Sequence, residues 1–401
     1  MVKVKSEFKA AIKNADYDQI QTLIHKNCGK KITVSKIEKL AQTLKCEPLE
    51  QAVASCKKMQ ALKDTKVEEN ELLEIAFFIE TKLKSHIDKK DYYLKSDKTG
   101  LSRTIEYDPK TKLTFIHLKC HNGAEKLGKG YFKTVTKSIQ YDRNKPELVA
   151  HAEQKGSADQ EVQALKKTKD IKGVIQAKSI TSHKEKATGD KKVSMVFKMY
   201  NPGALNAAVI KKLSFNEKLK IAHDLLTGMK GLHEKGLVHR DLKPGNVFVD
   251  KDKNHIKAVV SDLGHGCKHK EAKGKILNAT KRYSPPQAFN ANLDKIDYKK
   301  SDIFSLGIVF FEILFEKQPE WMKNNLLQDT LKENDPAKKK VVKKQFIEQI
   351  QLLQGDLKKK IAEKDAGSKK ALFMEIISDM LEASASKRLS ADNLLQKFTV
   401  L

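Results

Sequence analysis

The chain has 401 residues, a formal net charge of +27 at pH 7 and five cysteines. This length is sufficient for two or three compact units, each with a sizeable core. The odd number of cysteines and the absence of C-x-x-C spacing argue against a disulfide framework or a cysteine zinc site. They favour a reducing, cytoplasmic compartment, and export into the cytosol of a host cell is compatible with the same usage.

The basic excess consists almost entirely of lysine, because only five of the 78 basic residues are arginine and only 6% of all residues are aromatic. Readers of nucleic-acid bases depend on arginine forks and stacking aromatics, so this composition argues against nucleic acid as the partner. Acidic protein partners or substrates stay open. The most apolar run, residues 303–315, is too short to cross a bilayer, so no membrane span is predicted.

Residues 1–95 are predicted to form an all-α N-terminal domain. Apolar residues recur at helical spacing between Phe8 and Ile24, and a second apolar stripe runs from Leu72 to Ile87. Ser35 ahead of Glu38 has the spacing of a capping box and predicts a helix start there. No motif assigns this domain a role.

Residues 96–120 change to a period of two. Residues 101–107 and 112–118 alternate apolar and polar side chains on either side of Asp108-Pro109-Lys110-Thr111. This pattern predicts a β-hairpin that leads into the next domain.

The stretch from Val238 to Asn246 reads V-H-R-D-L-K-P-G-N, and Ser261-Asp262-Leu263-Gly264 follows it. Phosphoryl transfer requires a carboxylate that accepts the hydroxyl proton, a cation beside the phosphoryl group, and an amide and a second carboxylate that bind Mg²⁺. This spacing supplies all of these groups. It resembles the motifs of the eukaryotic-type serine/threonine protein kinases, and the resemblance covers roughly residues 120–400.

The resemblance implies a role for each motif residue. Asp241 corresponds to the catalytic base and Lys243 to the residue that contacts the γ-phosphate, a lysine typical of serine/threonine kinases. Asn246 and Asp262 correspond to the Mg²⁺ ligands. The implied fold is the two-lobed α+β protein kinase architecture, with a kinase domain over 121–401, a small lobe at 121–200, a large lobe at 201–401 and ATP bound between them.

A glycine-rich segment, L-G-K-G-Y-F-K-T-V, spans residues 127–135. In the family, Leu127, Gly128 and Gly130 would correspond to residues close to the ATP phosphates, where glycine lets the backbone approach. The segment departs from the family pattern because Lys133 stands at the third glycine. The strand that should read V-A-x-K is Val149-Ala150-His151-Ala152, so the usual phosphate-binding lysine is absent.

These two departures are shared with the With-No-Lysine kinases, whose glycine loop the segment resembles. The resemblance implies that Lys133 supplies the missing cation and pairs with a helix carboxylate, for which Glu161 is the best candidate. One alternative is that Lys133 is a surface lysine and that nucleotide binding is impaired. Another is that Lys155, just past the strand, replaces it.

Residues 193–200 resemble the strand that leads to the hinge of the family. The resemblance places Phe197 at the gatekeeper position and the main chain of Met199 at the adenine edge. Val135, Ala150 and Phe248 would then enclose the faces of the adenine ring.

The segment after Asp262 resembles a kinase activation segment with two differences. Residues 263–279 contain no serine, threonine or tyrosine, so Arg240 lacks a phosphate acceptor there, and switching by phosphorylation of this loop is not expected. Thr280 corresponds to the threonine that binds the catalytic aspartate and lysine. Gln287 replaces the glutamate that pairs with the arginine corresponding to Arg388, which predicts a weaker but retained contact.

Two further features follow in the chain. Asp302 corresponds to the buried carboxylate that holds the catalytic loop, and residues 338–370 predict a long, lysine-rich amphipathic helix.

The preferred function is a protein kinase that uses ATP and Mg²⁺ to phosphorylate serine or threonine of a protein substrate. The alternative is a pseudokinase that acts as a nucleotide-binding or scaffolding module.

Overall fold

A computed structural model of the chain describes residues 2–62, 67–83, 93–94, 105–108, 113–118, 126–129, 133–141, 145–155, 158–184, 191–253, 255–272, 274–275, 279–290, 294, 296–323, 326–332, 335–363 and 367–399. The chain divides into two compact units. The sheet unit comprises Met1–Ser157 and Ala177–Met199, and the helical unit comprises Ala158–Gln176 and Tyr200–Leu401. The α+β class predicted from the sequence is confirmed.

The N-terminal part of the sheet unit is helical, as its apolar periodicity predicts. Its helices are α1 (Val2–Lys13), α2 (Tyr17–Asn27), α3 (Val34–Thr43), α4 (Glu47–Gln60) and α5 (Glu69–Thr81). The predicted helix start at Ser35 is wrong, because α3 already begins at Val34 and Thr33 is its N-terminal cap residue. Val34 is buried, so packing rather than a capping hydroxyl sets this boundary.

The strands of the sheet unit form one antiparallel sheet in the order β1-β2-β3-β5-β6-β8-β7. The short strand β4 pairs with residues 134–136 of β5, next to the part of β5 that pairs with β3, residues 138–141. The strands are β1 (Tyr93–Leu94), β2 (Ile105–Asp108), β3 (Leu113–His117), β4 (Lys126–Lys129), β5 (Lys133–Tyr141), β6 (Glu147–Lys155), β7 (Ala177–Lys184) and β8 (Lys191–Lys198). The two strands of the predicted hairpin pair with each other, and Ile105 lies opposite Ile116.

One face of β2, β3 and β5 packs against the N-terminal helices. Ile105, Ile116, Ile139 and Tyr141 belong to the same buried cluster as the apolar stripes of α1–α5. The Tyr141 hydroxyl donates to Glu80 at 2.7 Å, so the polar tip of this side chain is also satisfied. The helices and the sheet therefore share one core across the predicted boundary near residue 95.

The opposite face of the sheet is strongly curved. Ser194 on β8 donates to the Glu106 carboxylate on β2 at 2.9 Å, although β3, β5 and β6 lie between these strands in the sheet order. In a flat sheet the two strands would be roughly 19 Å apart, at about 4.8 Å for each step. The sheet therefore curls around this face, which encloses both polar and apolar side chains.

The helical unit contains most of the remaining helices and three short strand pairings. Its helices are α6 (Asp159–Lys167), α7 (Ala207–Ile210), α8 (Phe215–Glu234), α9 (Tyr298–Phe315), α10 (Leu326–Lys332), α11 (Pro336–Ala362), α12 (Lys369–Met380) and α13 (Ala391–Phe398). Its strands are β9 (Pro202–Ala204), β10 (Leu237–Val238), β11 (Val247–Lys251), β12 (Ile256–Val260) and β13 (Cys267–Lys268). β11 pairs with both β9 and β12, and β10 pairs with β13.

The centre of the helical unit is α9, which is buried on nearly all sides because apolar residues surround it. Asp297 caps its first turn by accepting from the amides of Lys299 and Lys300. The predicted lysine-rich helix is present as α11 and ends at Ala362, with Phe346 and Ile350 buried. Among the described helices, none combines the length and apolarity needed to cross a bilayer.

Candidate active site

Asp302 holds the backbone of the loop at residues 238–246, which corresponds to the catalytic loop of the family that the chain resembles, as the sequence predicts. This carboxylate lies in the first turns of α9 and is almost fully buried. It accepts from the backbone amides of His239 at 2.8 Å and Arg240 at 2.9 Å. Because each buried amide needs an acceptor, Asp302 fixes the loop backbone just before Asp241.

His239 ties this loop to the segment that carries Asp262. Its Nδ1 accepts from the amide of Asp241 at 3.1 Å, so its Nε2 carries the proton and donates to the Ser261 carbonyl at 2.8 Å. Arg240 and Asp262 both have left-handed backbones, with φ of 65° and 58°. Such conformations are strained for residues other than glycine, and here the surrounding hydrogen bonds impose them.

The side chain of Asp241 is the centre of a closed polar network. Its Oδ2 accepts from Lys243 Nζ at 2.8 Å and from Asn246 Nδ2 at 2.9 Å. Its Oδ1 accepts from the amide and the hydroxyl of Thr280, at 3.0 Å and 2.6 Å. Lys243 also donates to the Thr280 hydroxyl at 2.9 Å, which confirms the predicted contact of this threonine with both residues.

This network keeps Asp241 ionised. Burial by itself would raise the pKa of the Asp241 carboxyl, but the hydrogen bonds from Lys243 and Thr280 and the positive charge of Lys243 outweigh it. The pKa is therefore held below its usual range. A carboxylate in this state accepts a hydrogen bond from an incoming hydroxyl and orients it.

Asp262 lies at the start of a short 3₁₀ turn, beside α6. A Cβ atom at Gly264 would come within 3.2 Å of Asp262 Oδ1 and 3.8 Å of Glu161 Oε2. The neighbouring Gln160 donates to the Gly266 carbonyl at 2.9 Å, and Glu161 itself is buried. Because Gly264 has no side chain, the carboxylates of Asp262 and Glu161 can both lie close to its backbone.

The segment after Asp262 is held through its own backbone. Arg240 donates to the His265 carbonyl at 3.1 Å and lies 3.7 Å from Cys267 Sγ. Cys267 pairs with Val238 as β13 meets β10, and the Ala279 amide donates to the Arg240 carbonyl at 2.8 Å. Arg240, for which the sequence offers no phosphate acceptor in this segment, therefore contacts the main chain of the segment instead.

Gln287 and Arg388 are in contact, as predicted, but only weakly. Arg388 Nη2 donates to Gln287 Oε1 at 3.4 Å, whereas its shorter bonds go to the carbonyls of Glu382 at 2.6 Å and Lys300 at 2.7 Å. Gln287 in turn donates to the Ala383 carbonyl at 2.6 Å. The buried guanidinium is therefore satisfied mainly by backbone carbonyls.

Four residues predicted to bind nucleotide occur together on one face of the sheet. Directly opposed residues of antiparallel strands point to the same side, as do residues two apart in one strand. Ala152 lies opposite Val135 and is diagonal to Lys133, and Ala150 lies opposite Phe197. Lys133, Val135, Ala150 and Phe197 therefore share the face of Ala152, the position of the usual kinase lysine.

The other residues predicted to bind nucleotide lie on several different elements of the two units. Leu127 and Gly128 lie in β4, where Gly128 is paired with Val135, and Gly130 lies outside the described residues. Met199 follows the end of β8. Glu161 and Phe248 belong to the helical unit, on α6 and β11, and the ring of Phe248 stacks on that of Tyr200 at 5.8 Å.

His233 also belongs to the polar network around Asp302, although the sequence motifs do not predict it. Its Nε2 lies 3.1 Å from Asp302 Oδ2, in the last turn of α8. A histidine six residues before His239 is the only signal in the sequence, and it is too weak to indicate a contact with a carboxylate 69 residues away.

Comparison with known proteins identifies a matching family model and several relatives. A family model described as "Protein kinase domain" matches residues 121–398. MAP kinase-interacting serine/threonine-protein kinase 1 of Xenopus tropicalis is 26% identical over 290 residues, which cover 68% of this chain and 66% of that protein.

Two shorter similarities point the same way. The phosphorylase b kinase gamma catalytic chain, liver/testis isoform, of Mus musculus is 30% identical over 140 residues, covering 33% of this chain and 34% of that one. Probable serine/threonine-protein kinase gdt9 of Dictyostelium discoideum is 38% identical over 107 residues, which cover 26% of this chain and 7% of that protein. The chain thus spans just under two thirds of the first relative, about a third of the second and less than a tenth of the third. Since the family model matches well over half of the chain, this protein belongs to the protein kinase family.

Proposed function

We propose that the chain is a serine/threonine protein kinase that transfers the γ-phosphate of ATP to protein hydroxyls. The observation that carries this proposal is the Asp241 carboxylate, which is held by hydrogen bonds from Lys243, Asn246 and Thr280. A carboxylate oriented in this way suits the base of phosphoryl transfer, and the adjacent ammonium suits the charge of the transferred group.

Asn246 and Asp262 fit a Mg²⁺ site by donor chemistry. The amide nitrogen of Asn246 donates to the backbone and side chain of Asp241. The amide oxygen of Asn246 is therefore the atom that would bind the ion. Carboxylate and amide oxygens are the ligands that Mg²⁺ prefers. Bound Mg²⁺ would neutralise charge on the ATP phosphates, and ATP and Mg²⁺ are the proposed cofactors.

The test is a phosphotransfer assay with labelled ATP, Mg²⁺ and generic protein acceptors. Asp241→Asn should lower kcat by about 10²–10⁴-fold, the usual contribution of a positioned base, with a melting curve to verify that the variant is folded. An intact protein that binds ATP but transfers no phosphate above the Asp241→Asn background would instead identify a pseudokinase.

We further propose that Lys133 replaces the cation absent at Ala152, as the resemblance to the With-No-Lysine kinases suggests. Support comes from the register, because Lys133 and Ala152 lie diagonally on one face of the sheet, where Cβ atoms are about 7 Å apart. A lysine side chain covers that separation. Lys155 is a weaker candidate, because it ends β6 opposite Lys192.

Three variants test this relocation. Lys133→Met should raise KM for ATP and lower kcat, whereas Lys137→Met, on the same strand and face, is the matched control and should change neither by more than about twofold. Lys155→Met tests the alternative position. Unchanged kinetics in Lys133→Met would contradict the proposal.

The activation segment is proposed to work without phosphorylation of residues 263–279. Arg240 already contacts the backbone of that segment, and this region offers no hydroxyl. The activity is then constitutive or controlled through the N-terminal helices. Phosphopeptide mapping of active protein tests this, and an essential phosphate on Thr280, Tyr283 or Ser284 would contradict it.

The proposed partner is a protein with an acceptor serine or threonine, and the excess of lysine favours an acidic one. The proposed location is a reducing compartment such as the cytoplasm. Four cysteines of the described residues, Cys28, Cys46, Cys56 and Cys267, are buried free thiols, which fits such a compartment.

A further inference from the structure

A second polar cluster, separate from the catalytic loop, lies inside the curled sheet. It consists of Glu106 on β2, His117 on β3 and His151 on β6, which are exposed by only 2%, 3% and 1%. Their ligand-capable atoms all lie within 4.8 Å of one another. Three titratable side chains converging in a core are unusual, because burying them without compensation is costly.

The atoms that meet at the centre are one carboxylate oxygen and two imidazole nitrogens. Glu106 Oε2 lies 3.1 Å from His151 Nε2 and 3.5 Å from His117 Nε2. Within the described part of the chain, neither Glu106 Oε2 nor His151 Nε2 has a partner in hydrogen-bond geometry, although both are fully buried. These atoms therefore converge on a common centre.

The outer atoms of Glu106 and His117 are fixed by hydrogen bonds. His117 Nδ1 contacts the hydroxyls of Ser138 at 3.0 Å and Thr136 at 3.2 Å, and Glu106 Oε1 accepts from Ser194 at 2.9 Å. Metal-binding histidines and carboxylates are commonly oriented in this way by partners on their outer atoms. The arrangement leaves Nε2 and Oε2 directed at the centre.

The spacing suits a transition-metal ion. Ligands bound to Zn²⁺ at about 2.0–2.2 Å in tetrahedral geometry are roughly 3.4 Å apart, close to the Glu106–His151 and Glu106–His117 separations of 3.1 Å and 3.5 Å. Imidazole nitrogens and carboxylate oxygens are among the ligands that Zn²⁺ binds in proteins.

We propose that Glu106, His117 and His151 form a buried zinc site that joins the β2–β3 hairpin to β6. The ion would have two imidazole ligands and one carboxylate ligand, with a water molecule at the fourth position. We assign the ion a structural role for two reasons. The site is closed to solvent, and it lies on the face of β6 opposite Ala150 and Ala152, which belong to the face proposed to contact the nucleotide.

The test measures metal in the full-length, untagged protein after zinc loading and exhaustive dialysis. We expect about one equivalent of zinc by elemental analysis. The cobalt-substituted protein should show visible d–d absorption without an intense thiolate charge-transfer band, which separates this site from adventitious binding by cysteines. Less than about 0.1 equivalent in the wild-type protein would overturn the proposal and leave a metal-free ion-pair cluster.

Variants identify the ligands. Glu106→Gln and His151→Gln should each reduce bound zinc at least tenfold, whereas His255→Gln should retain the full equivalent. His255 is the matched control because it is an exposed histidine 3.6 Å from a carboxylate, that of Asp252. Should the ligand variants fail to fold, Ser194→Ala keeps all three ligands and should weaken zinc affinity about tenfold. Undiminished zinc affinity in folded Glu106→Gln or in Ser194→Ala would overturn the proposal.

Discussion

The molecule contains two buried polar networks, which differ in the groups that surround their carboxylates. In the first network, Asp241 accepts from amide, hydroxyl and ammonium donors, and Asp302 on α9 accepts from two backbone amides, so this network is complete within the protein. In the curled sheet, one carboxylate oxygen of Glu106 and one imidazole nitrogen each of His117 and His151 instead converge within 4.8 Å of one another. A complete network positions groups for chemistry, whereas a convergent set calls for an additional ion.

The largest expected effect is that of Asp302→Ala in the complete network. It leaves the buried amides of His239 and Arg240 without their acceptor, and each such group costs about 1–3 kcal/mol. We expect the free energy of unfolding to fall by about 3–5 kcal/mol and phosphotransfer to collapse. Urea denaturation and the labelled-ATP assay measure both.

Asp297→Ala is the matched control for that variant. The Asp297 carboxylate also accepts from two backbone amides, at 2.9 Å and 3.2 Å, but at an exposed helix cap. Loss of a cap costs about 1 kcal/mol. Equal destabilisation by the two variants would show that burial of the Asp302 network has no special importance.

The convergent set should respond to metal instead. Zinc at 1,000 times its dissociation constant would add about 4 kcal/mol to the stability of a protein that binds it only when folded. We therefore expect chelation to lower the melting temperature of the wild-type protein by several degrees and to have little effect on Glu106→Gln. A melting temperature insensitive to zinc and chelator in the wild type would remove the distinction between the networks.

Thr280→Val tests how closely the complete network positions Asp241. It removes the hydroxyl that bonds both Asp241 and Lys243 while keeping the side-chain shape. Since small misplacements of reacting groups are costly, kcat should fall about 10–100-fold. Thr280→Ser keeps the hydroxyl and should remain within about threefold of wild type, and a Val variant as active as the Ser variant would contradict this role.

Gly264→Ala should have a smaller effect, through Asp262. The added Cβ would lie 3.2 Å from Asp262 Oδ1, so the carboxylate must shift by a few tenths of an ångström. We expect the Mg²⁺ concentration needed for half-maximal activity to rise about three- to tenfold. Gly245→Ala meets no atom within 4 Å and should leave this requirement unchanged; equal shifts would refute the steric argument.

The contacts within the first network could be predicted from the sequence because its residues stand at the spacings of the motifs that the chain resembles. The contacts of Asp241, Thr280 and Asp302 follow from such motifs. The hairpin places Glu106 and His117 on neighbouring strands, but their approach to His151 could not be predicted in this way, because it depends on how the sheet brings β6 close to the hairpin. For a similar reason, the core shared by the N-terminal helices and the sheet crosses the boundary that composition places near residue 95.

The most direct test of the central claim is a rescue measurement of kcat/KM for ATP. Lys133→Met should lose at least tenfold, and adding Ala152→Lys, which restores the lysine at the usual family position on the same face, should recover at least part of that loss. Recovery above the single variant, at an equal melting temperature, is the predicted result. Full activity of Lys133→Met, or a natively folded double variant no better than the single one, would contradict the claim that β5 supplies the phosphate-binding cation.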